Sequence, residues 1–410
     1  MKSDLDRLME EQELDALLIT GPAQHNPPMV YMTGPIHMTS GDLIKKRGSD
    51  PVLFYNPMER DEAARTGFKT KNLADYRIDK LIKITQGNIL EATILRYEKM
   101  LTEYELTSGR IAIYGKMDVG NSYAIFSGLN AKLPELEFIG QLGDSLLLQA
   151  MATKDEHEVD RIRAMGEITI SVVGKVADFL SSHKTKNSIL IKSNGDPLTI
   201  GEVKNNINLW LAEAGVENPE GTIFAIGRDA GVPHSSGNPK DILELGKSII
   251  FDIFPAEAGG GYFFDFTRTW CLGYAPDKVM KLYEDVTNVY QQIMSEITVD
   301  SLASQYQART CELFADKGYP TIKSQPQTQE GYVHSLGHGV GLYIHEYPRI
   351  SSNFKDDRLS PGSVVTIEPG LYYPEKGMGV RLEDTVWMRP DGEIEILAPY
   401  PHDLVLPVSK

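Results

Sequence analysis

The amino-acid sequence predicts two domains, an α/β domain at the N-terminus followed by a larger α+β domain. The chain has 410 residues, which exceeds the usual size of one domain. Short apolar segments alternate with helix-like segments up to about residue 150, whereas longer amphipathic segments separate the strand-like segments after it. We therefore expect an α/β domain over 1–150 and an α+β domain over 151–410.

In the first domain, short apolar runs have the length and composition of buried strands. These runs cover 15–20, 30–34, 51–55 and 110–114, and helix-like segments cover 58–65 and 89–104. Buried strands separated by helices indicate an open sheet that is covered on its faces. The segment contains neither a phosphate-binding loop nor a GxGxxG motif. We expect it to pack, dimerise or wall a cleft rather than to carry chemistry, and we expect a homodimer.

The second domain begins with apolar residues at helical spacing, which predict a helix from 155 to about 183. Thr199 and Glu202 form a capping-box pattern at the start of another helix, which is expected to end at Glu213. Further helices are predicted over 277–297 and 302–317, and strands over 248–254, 262–272, 364–368 and 379–388. Long helices between such strands predict an α+β domain.

Composition and charge exclude several classes of partner. The formal net charge of −16 argues against a nucleic-acid surface or an anionic membrane surface, because both need clusters of Lys and Arg. Cys271 and Cys311 are too few for a disulfide framework and fit a reducing compartment. We find no apolar signal-peptide core at the N-terminus and no membrane-spanning apolar run. The expected location is the cytoplasm.

One glycine-rich segment, 334–349, concentrates three of the nine histidines: His334, His338 and His345. Glycines at 337, 339 and 341 make a helix unfavourable there and allow a close approach of backbone to a ligand or another strand. Imidazole is the commonest metal ligand and a proton shuttle near neutral pH. Taken alone, the segment is equally consistent with a glycine-rich turn whose histidines have no function.

Several carboxylates lie within apolar runs of the second domain. These are Asp252, Asp265 and Glu368, and Glu383 lies in a similar context. Burying a carboxylate without compensation costs several kcal/mol, so each needs exposure on one strand face, an ion pair or a metal. Arg268 and Arg381 could supply ion pairs. For several carboxylates in one domain, a shared metal cation is the better account.

Taken as metal ligands, the candidates form an oxygen-rich set with one imidazole. The set comprises Asp252, Asp265, His338, Glu368 and Glu383. Such ligands suit Mn²⁺, Co²⁺, Fe²⁺ or Zn²⁺, with Mn²⁺ or Co²⁺ expected first. Four negative charges balance two divalent cations, and two metals ~3.5–4 Å apart can hold a bridging water and polarise a carbonyl. This chemistry is typical of amide hydrolysis.

The second half of the chain resembles the pita-bread metallopeptidase family, which includes aminopeptidase P, prolidase, methionine aminopeptidase and the metal-free creatinase. The resemblance covers roughly 155–390 and rests on motifs around Asp252, Asp265, 334–349, Glu368 and Glu383. The first domain is similar to the N-terminal domain of the creatinase, prolidase and aminopeptidase P branch, through 15–20 and 31–34. Methionine aminopeptidases lack that domain.

The resemblance implies a role for each matched residue. Asp252 would bind one metal, Asp265 and Glu383 would bridge both, and His338 with Glu368 would complete the second site. Glu368 would also exchange a proton with the bridging water. His234 and His334 would contact the substrate, His345 would bind the carbonyl next to the scissile bond, and Arg349 would receive a C-terminal carboxylate. We also place Arg381 among the candidate catalytic residues.

The sequence departs from the family in the spacing of its two aspartates. Asp252 and Asp265 are 13 positions apart (265 − 252), two more than in most of the family. The glycines at 259–261 could absorb the added residues in a hairpin loop. If they do not, metal binding by Asp252 is in doubt.

The implied function is that of a metal-dependent Xaa-Pro peptidase. It would act on small peptides with proline in the second position, either at the N-terminus of a peptide or in a dipeptide. The proline specificity follows wholly from the resemblance. The alternative is a hydrolase or lyase that uses the same dinuclear scaffold on a small non-peptide substrate, because a fold does not determine its chemistry. A catalytically inactive binding module is disfavoured by the complete ligand set.

Overall fold

The computed structural model describes residues 4–143 and 145–409. The chain divides into two compact units, Met1–Met151 with Gly259–Gly261, and Ala152–Ala258 with Tyr262–Lys410. The predicted domains 1–150 and 151–410 include positions 1–3, 144 and 410, which lie outside the described residues. Among the described residues, none of the helices combines the length and hydropathy needed to cross a membrane.

The first unit is built on a mixed six-stranded sheet in the order β4-β3-β2-β1-β5-β6, in which β1 is antiparallel to β2 and parallel to β5. Its strands are β1 Ala16–Gly21, β2 Gly41–Lys46, β3 Val52–Tyr55, β4 Lys69–Asn72, β5 Gly109–Gly115 and β6 Leu136–Ile139. Its helices are α1 Leu5–Glu11, α2 Pro27–Thr33, α3 Arg60–Arg65, α4 Ile78–Ile84, α5 Ile89–Glu103, α6 Val119–Lys132 and α7 Leu146–Met151, with 3₁₀ turns at Pro57–Glu59 and Leu73–Tyr76. Apolar residues of α5 and α6 pack with those of the sheet in one core.

The strand predicted at 30–34 is wrong, because these residues belong to helix α2 and its C-terminal cap. Pro27 and Pro28 occupy the first helical positions, where a missing N–H group is tolerated, and Gly34 ends the helix with a φ of 74°. The sheet instead contains β2, whose polar residues obscured the strand pattern. Asp42 accepts a hydrogen bond from Tyr97 (2.7 Å), and Lys45 donates to Asp6 (2.6 Å), so both polar side chains have partners.

The second unit combines four long helices with several small sheets. Its helices are α8 Glu156–Ser182, α9 Ile200–Glu213, α10 Asp277–Glu296 and α11 Ala303–Asp316, with 3₁₀ turns at Asp229–Gly231 and Pro374–Lys376. Its strands are β7 Lys184–Lys186, β8 Ile189–Ile191, β9 Val216–Glu217, β10 Thr222–Ile226, β11 Ser248–Ile253, β12 Ala256–Glu257, β13 Phe266–Leu272, β14 Gly337–Gly339, β15 Glu346–Ile350, β16 Val364–Ile367, β17 Gly370–Tyr373, β18 Met378–Arg381, β19 Asp384–Met388, β20 Ile394–Ile396 and β21 Val405–Leu406.

Two of these sheets carry most of the site. One has the order β10-β11-β13-β21 and the other β15-β14-β16-β19-β20, while β17 and β18 form a separate hairpin. Apolar residues of α10 and α11 form a continuous core with β16 to β19. The predicted capping box at Thr199 and Glu202 is present at the start of α9, and Asp155 with Glu158 forms another at α8.

The single strand predicted over 379–388 is divided into β18 and β19, which belong to different sheets. Glu383 lies at the break, where Arg268 donates to its backbone carbonyl (2.7 Å) and to the carboxylate of Asp384 (2.8 Å). Arg268 is therefore paired with Asp384 rather than with the four carboxylates among the candidate metal ligands, and it stabilises the point at which the chain changes sheets.

Candidate active site

A cavity of about 870 Å³ lies within the second unit, and all the site residues predicted from the sequence line it. They are His234, Asp252, Asp265, His334, His338, His345, Arg349, Glu368, Arg381 and Glu383. Residues separated by up to 149 positions (383 − 234) thus meet at one site. The structure brings them together through the two sheets and the segments that join their strands.

The two aspartates are positioned by the antiparallel pair β11 and β13. Asp252 lies on β11 opposite Thr267, and Asp265 directly precedes β13, where Ile253 pairs with Phe266. The residues between the two strands contain β12 and the glycines at 259–261. Both carboxylates line the same cavity with this longer spacing between them.

Residues 337–339 of the glycine-rich segment form strand β14, which approaches β16 closely. A Cβ atom on Gly337 would lie 2.0 Å from the backbone oxygen of Thr366, so only glycine fits there without movement. His338 on β14 is thereby held beside Glu368, which follows β16. The Nε2 atom of His338 is 3.5 Å from Oε1 of Glu368 and 3.5 Å from Oδ2 of Asp265.

Three of these side chains form a compact metal-site candidate. Asp265, His338 and Glu383 each offer a ligand atom, and these atoms lie within 4.8 Å of one another. The Nδ1 atom of His338 is 3.1 Å from the carbonyl oxygen of Gly339. Because a carbonyl can only accept, Nδ1 carries the proton and Nε2 presents its lone pair to the cluster.

The pKa values of this cluster reflect burial of like charges. Burial, with Glu383 and other nearby carboxylates, raises the pKa of Asp265 well above its usual range. Burial and Glu383 likewise raise the pKa of Glu368, and burial and Asp252 raise the pKa of Glu383 to about 8. Burial, with His345, lowers the pKa of His338 to about 3. The cluster thus combines a neutral imidazole with carboxylates whose charge is destabilised in the absence of a cation.

Unpaired buried oxygens also fit a metal. Among the described residues, Oδ1 of Asp252 and Oδ1 of Asp265 are buried without a hydrogen-bond partner. Buried polar atoms without partners are rare in folded proteins and are often explained by an ion or ligand. Oxygen-rich donors with one imidazole suit a divalent transition-metal ion such as Mn²⁺. The residues present therefore fit a divalent metal centre.

Arg381 forms an ion pair with one of the four carboxylates. Its Nη2 atom is 2.5 Å from Oδ2 of Asp252, and both side chains are largely buried. The ion-pair alternative raised from the sequence therefore applies to Asp252. Because this guanidinium neutralises one carboxylate, ionised Asp265, Glu368 and Glu383 would still need a cation to compensate for their charge.

Two polar residues that the sequence reasoning did not identify organise this cluster. Thr267 donates a hydrogen bond to Oε2 of Glu383 at 2.6 Å. The hydroxyl of Tyr372 accepts from Nη1 of Arg381 (2.9 Å) and lies 2.8 Å from Nε2 of His334, whose Nδ1 is 2.7 Å from the Ser335 carbonyl. His334 therefore donates from Nδ1 and accepts from Tyr372, and burial lowers its pKa to about 3.

His345 and His234 lie on the exposed side of the cavity. The ring of His345 packs edge to face against the ring of His338, with centroids 4.3 Å apart. Partial burial of its ring and the nearby His234 lower the pKa of His345, while Asp252 and Glu220 oppose this effect. His345 is therefore neutral at pH 7 and accessible to a ligand in the cavity.

Arg349 lines the same cavity but already binds a carboxylate. Its Nε and Nη2 atoms lie 3.0 Å and 3.2 Å from the two carboxylate oxygens of Asp357, a bidentate arrangement. Its guanidinium also stacks on the rings of Tyr347 and Phe354, at 4.1 Å and 3.3 Å from their centroids. Arg349 is consequently held in a defined orientation.

The second unit thus carries a carboxylate–histidine cluster that fits a divalent metal, and comparison with known proteins assigns the family. Residues 160–390 match the sequence model of metallopeptidase family M24. The match spans more than half of the chain, so this protein belongs to metallopeptidase family M24 and is an enzyme. The resemblance to the pita-bread peptidases noted from the motifs is confirmed.

Individual relatives extend the similarity over nearly the whole chain. An Xaa-Pro dipeptidase of Pyrococcus furiosus is 26% identical over 396 residues, covering 96% of this chain and 97% of that relative. The solved structure of an Xaa-Pro dipeptidase from Bacillus anthracis has a TM-score of 0.75 at 21% identity, covering 98% of this chain and 99% of its own. An X-Pro aminopeptidase structure from Thermotoga maritima gives a TM-score of 0.74 at 22% identity with the same coverage. These structures share the fold of both parts of the chain.

Proposed function

We propose that this enzyme is a metal-dependent Xaa-Pro peptidase that hydrolyses the bond before proline at the N-terminus of peptides or in dipeptides. The observation that carries the proposal is the cluster of Asp265, His338 and Glu383 in a cavity large enough for a short peptide. The relatives named Xaa-Pro dipeptidase and X-Pro aminopeptidase support the choice of substrate. A hydrolase or lyase for a small non-peptide substrate is not favoured, because these relatives are peptidases.

The proposed cofactor is a pair of divalent metal ions, with Mn²⁺ or Co²⁺ preferred over Zn²⁺ and Fe²⁺. Asp252, Asp265, His338, Glu368 and Glu383 would hold them. When bound, such ions would lower the pKa of a water molecule and polarise the peptide carbonyl. This ligand set is supported by the unpaired Oδ1 atoms of Asp252 and Asp265 and by the Nε2 lone pair of His338, which faces the cluster.

The remaining site residues receive roles in handling protons and orienting the peptide. Glu368 would accept a proton from the attacking water and pass it to the leaving amine, a role supported by its raised pKa. His345 would donate a hydrogen bond to the carbonyl oxygen as negative charge develops there. Arg381 would limit the repulsion among the carboxylates by neutralising Asp252.

His234, His334 and Arg349 are proposed to bind the substrate. His234 and His334 line the cavity, and the hydrogen bonds of His334 hold its ring in one orientation. Arg349 is proposed to receive the C-terminal carboxylate of a dipeptide. Its guanidinium would have to bind that carboxylate in addition to, or in competition with, Asp357.

We further propose that the enzyme is a cytoplasmic homodimer. Cys271 and Cys311 are buried free thiols, which fits a reducing compartment. Sedimentation or light-scattering measurement of the purified protein tests the dimer, and fractionation of the source cells tests the location.

The substrate assignment is tested by assaying hydrolysis of Xaa-Pro dipeptides, Xaa-Pro-Yaa tripeptides and matched peptides without proline, each with and without added Mn²⁺. We expect Mn²⁺-dependent cleavage that is restricted to the prolyl substrates. Equal cleavage of peptides lacking proline would contradict the proposed specificity, and activity that does not depend on a metal would contradict the proposed chemistry.

The metal assignment predicts that Asp265→Asn and Glu383→Gln abolish activity because each removes a ligand from the cluster. Elemental analysis of the purified variants should show reduced metal content, while circular dichroism should show a retained fold. Asp391→Asn, on an exposed turn outside the cavity, is the control and should keep both metal and activity. Active variants with the metal content of the parent would overturn the dinuclear assignment.

A further inference from the structure

The active-site cavity contains a lysine whose presence the proposed function does not explain. Lys204 lies in the second turn of α9 and lines the same cavity as the metal-site candidate. Its ammonium donates a hydrogen bond of 3.0 Å to the backbone oxygen of Ser236. The side chain is half-buried, and burial lowers its pKa.

The two arginines that line this cavity are already neutralised by carboxylates. Arg381 is paired with Asp252 at 2.5 Å, and Arg349 is paired with Asp357 at 3.0 Å. Within the described ranges 4–143 and 145–409, Lys204 has no carboxylate partner. Partial burial of an ammonium group is unfavourable unless an anion compensates for it. The anion that this lysine lacks within the chain can be supplied by a ligand in the cavity.

We propose that Lys204 is a specificity-determining residue that binds a carboxylate of the peptide substrate. This inference rests on the proposed peptidase function. The carboxylate has two possible sources, the C-terminus of a dipeptide or an acidic side chain on the first residue. An ammonium is a point charge on a flexible stem, so it can bind either without the planar geometry that an arginine requires.

Kinetics of a Lys204→Met variant test the proposal and identify the source of the carboxylate. The substrates are Ala-Pro, Ala-Pro-amide, Glu-Pro-amide and Gln-Pro-amide. We expect KM to rise about 10-fold for the substrate whose carboxylate is bound, since a charge-assisted hydrogen bond at a half-exposed site is worth roughly that factor. A rise for Ala-Pro but not for its amide assigns the C-terminus. A rise for Glu-Pro-amide but not for Gln-Pro-amide assigns the side chain.

Three further variants separate a direct contact from a general change in charge or structure. Lys204→Arg keeps the charge and should retain most of the affinity. Lys240→Met removes a charge from an exposed position outside the cavity and should change nothing. Arg349→Ala is measured in parallel, because a carboxylate effect confined to that variant would exclude Lys204 as the receptor.

Calorimetry distinguishes failure of this inference from failure of the proposed function. The four peptides are titrated into a Glu368→Gln protein with and without Lys204→Met, so that binding is measured without turnover. A parent that hydrolyses no Xaa-Pro peptide refutes the proposed function, yet carboxylate-dependent binding that requires Lys204 would still support the inference. Affinities that are unchanged by Lys204→Met, reduced equally for all four peptides, or independent of a carboxylate in the parent would overturn it.

Discussion

At the scale of single residues, His345 is the side chain whose surroundings best separate a catalytic from a structural role. It is exposed in the cavity, its pKa is lowered, and its ring contacts that of the proposed ligand His338. A neutral imidazole can donate one hydrogen bond to a carbonyl oxygen without adding a permanent charge near the metal site. A purely structural histidine would have no need to face the cavity.

We predict that His345→Ala lowers kcat by about 10²–10³, the usual effect of losing one donor to a developing oxyanion. Metal content and the unfolding midpoint should stay close to those of the parent, because His345 is not among the proposed ligands and is exposed. Steady-state kinetics and elemental analysis check both statements. The exposed His157→Ala on α8 is the control. A His345→Ala enzyme with full turnover, or one that loses activity only in proportion to its metal, would remove His345 from the mechanism.

Individual site residues could be predicted from the sequence where a charged side chain lies within an apolar segment. Asp252, Asp265 and Glu368 were recognisable because each is a carboxylate within an apolar run. Tyr372 and Thr267 could not be recognised in this way, because a tyrosine or threonine in a buried strand is ordinary. Their hydrogen bonds to Arg381 and Glu383 arise only when separate strands are brought together.

At the scale of secondary-structure elements, the connection between β14 and β15 depends on a buried ion pair. Nζ of Lys154 is 2.9 Å from Oε2 of Glu346, and these side chains are 2% and 0% exposed. The other oxygen of Glu346 accepts a hydrogen bond from the backbone N–H of Tyr343 (2.9 Å). Because Glu346 directly follows His345, this pair also restrains the proposed catalytic histidine.

We predict that Lys154→Met destabilises the second unit by about 3–5 kcal/mol, since it leaves the Glu346 carboxylate buried without its cation. Denaturant unfolding measures the change. A Lys154→Met, Glu346→Leu double variant should recover part of the loss, because it removes the unpaired charge. The matched control is Lys323→Met, whose pair with Glu312 is about half exposed, and we expect about 0–1 kcal/mol there. Equal effects at both pairs would contradict the importance of burial.

Helices and strands could be predicted where the hydrophobic periodicity was strong. The prediction failed where tertiary contacts determined the structure instead. The long amphipathic helices α8, α9, α10 and α11 lie within one or two residues of their predicted bounds. The β-forming residues at 30–34 instead entered a helix that Pro27 and Pro28 begin. The run at 379–388 looked continuous, but it divides at Glu383, where Arg268 holds the backbone carbonyl. No local pattern indicates that a strand changes sheets.

At the scale of the whole molecule, the second unit encloses more negative charge than it neutralises. Asp252, Asp265, Glu368 and Glu383 line one cavity, and Arg381 forms an ion pair with Asp252. A carboxyl whose pKa is raised on folding opposes folding once it ionises. The ordinary pKa of this carboxyl is 4.5, and the pKa of Glu383 in the folded protein is about 8. As far as Glu383 is concerned, the metal-free protein should therefore be most stable below pH 4.5 and should lose stability as the pH rises from 4.5 through about 8.

The final prediction is that a divalent metal stabilises the second unit, and that Asp265→Asn has opposite effects with and without it. Saturating Mn²⁺ at about 100 times its dissociation constant should contribute about 2.7 kcal/mol, which corresponds to roughly 5–10 °C in Tm for a unit of this size. Without metal, Asp265→Asn should match or exceed the Tm of the parent, because it removes a carboxylate whose ionisation opposes folding. With Mn²⁺, the variant should gain little, since a ligand of the cluster is missing. Differential scanning calorimetry of parent and variant, each treated with chelator and then with Mn²⁺, measures all four values. A lower metal-free Tm for Asp265→Asn would show that this carboxylate supports the fold, and an equal Mn²⁺ shift in both proteins would place the metal elsewhere.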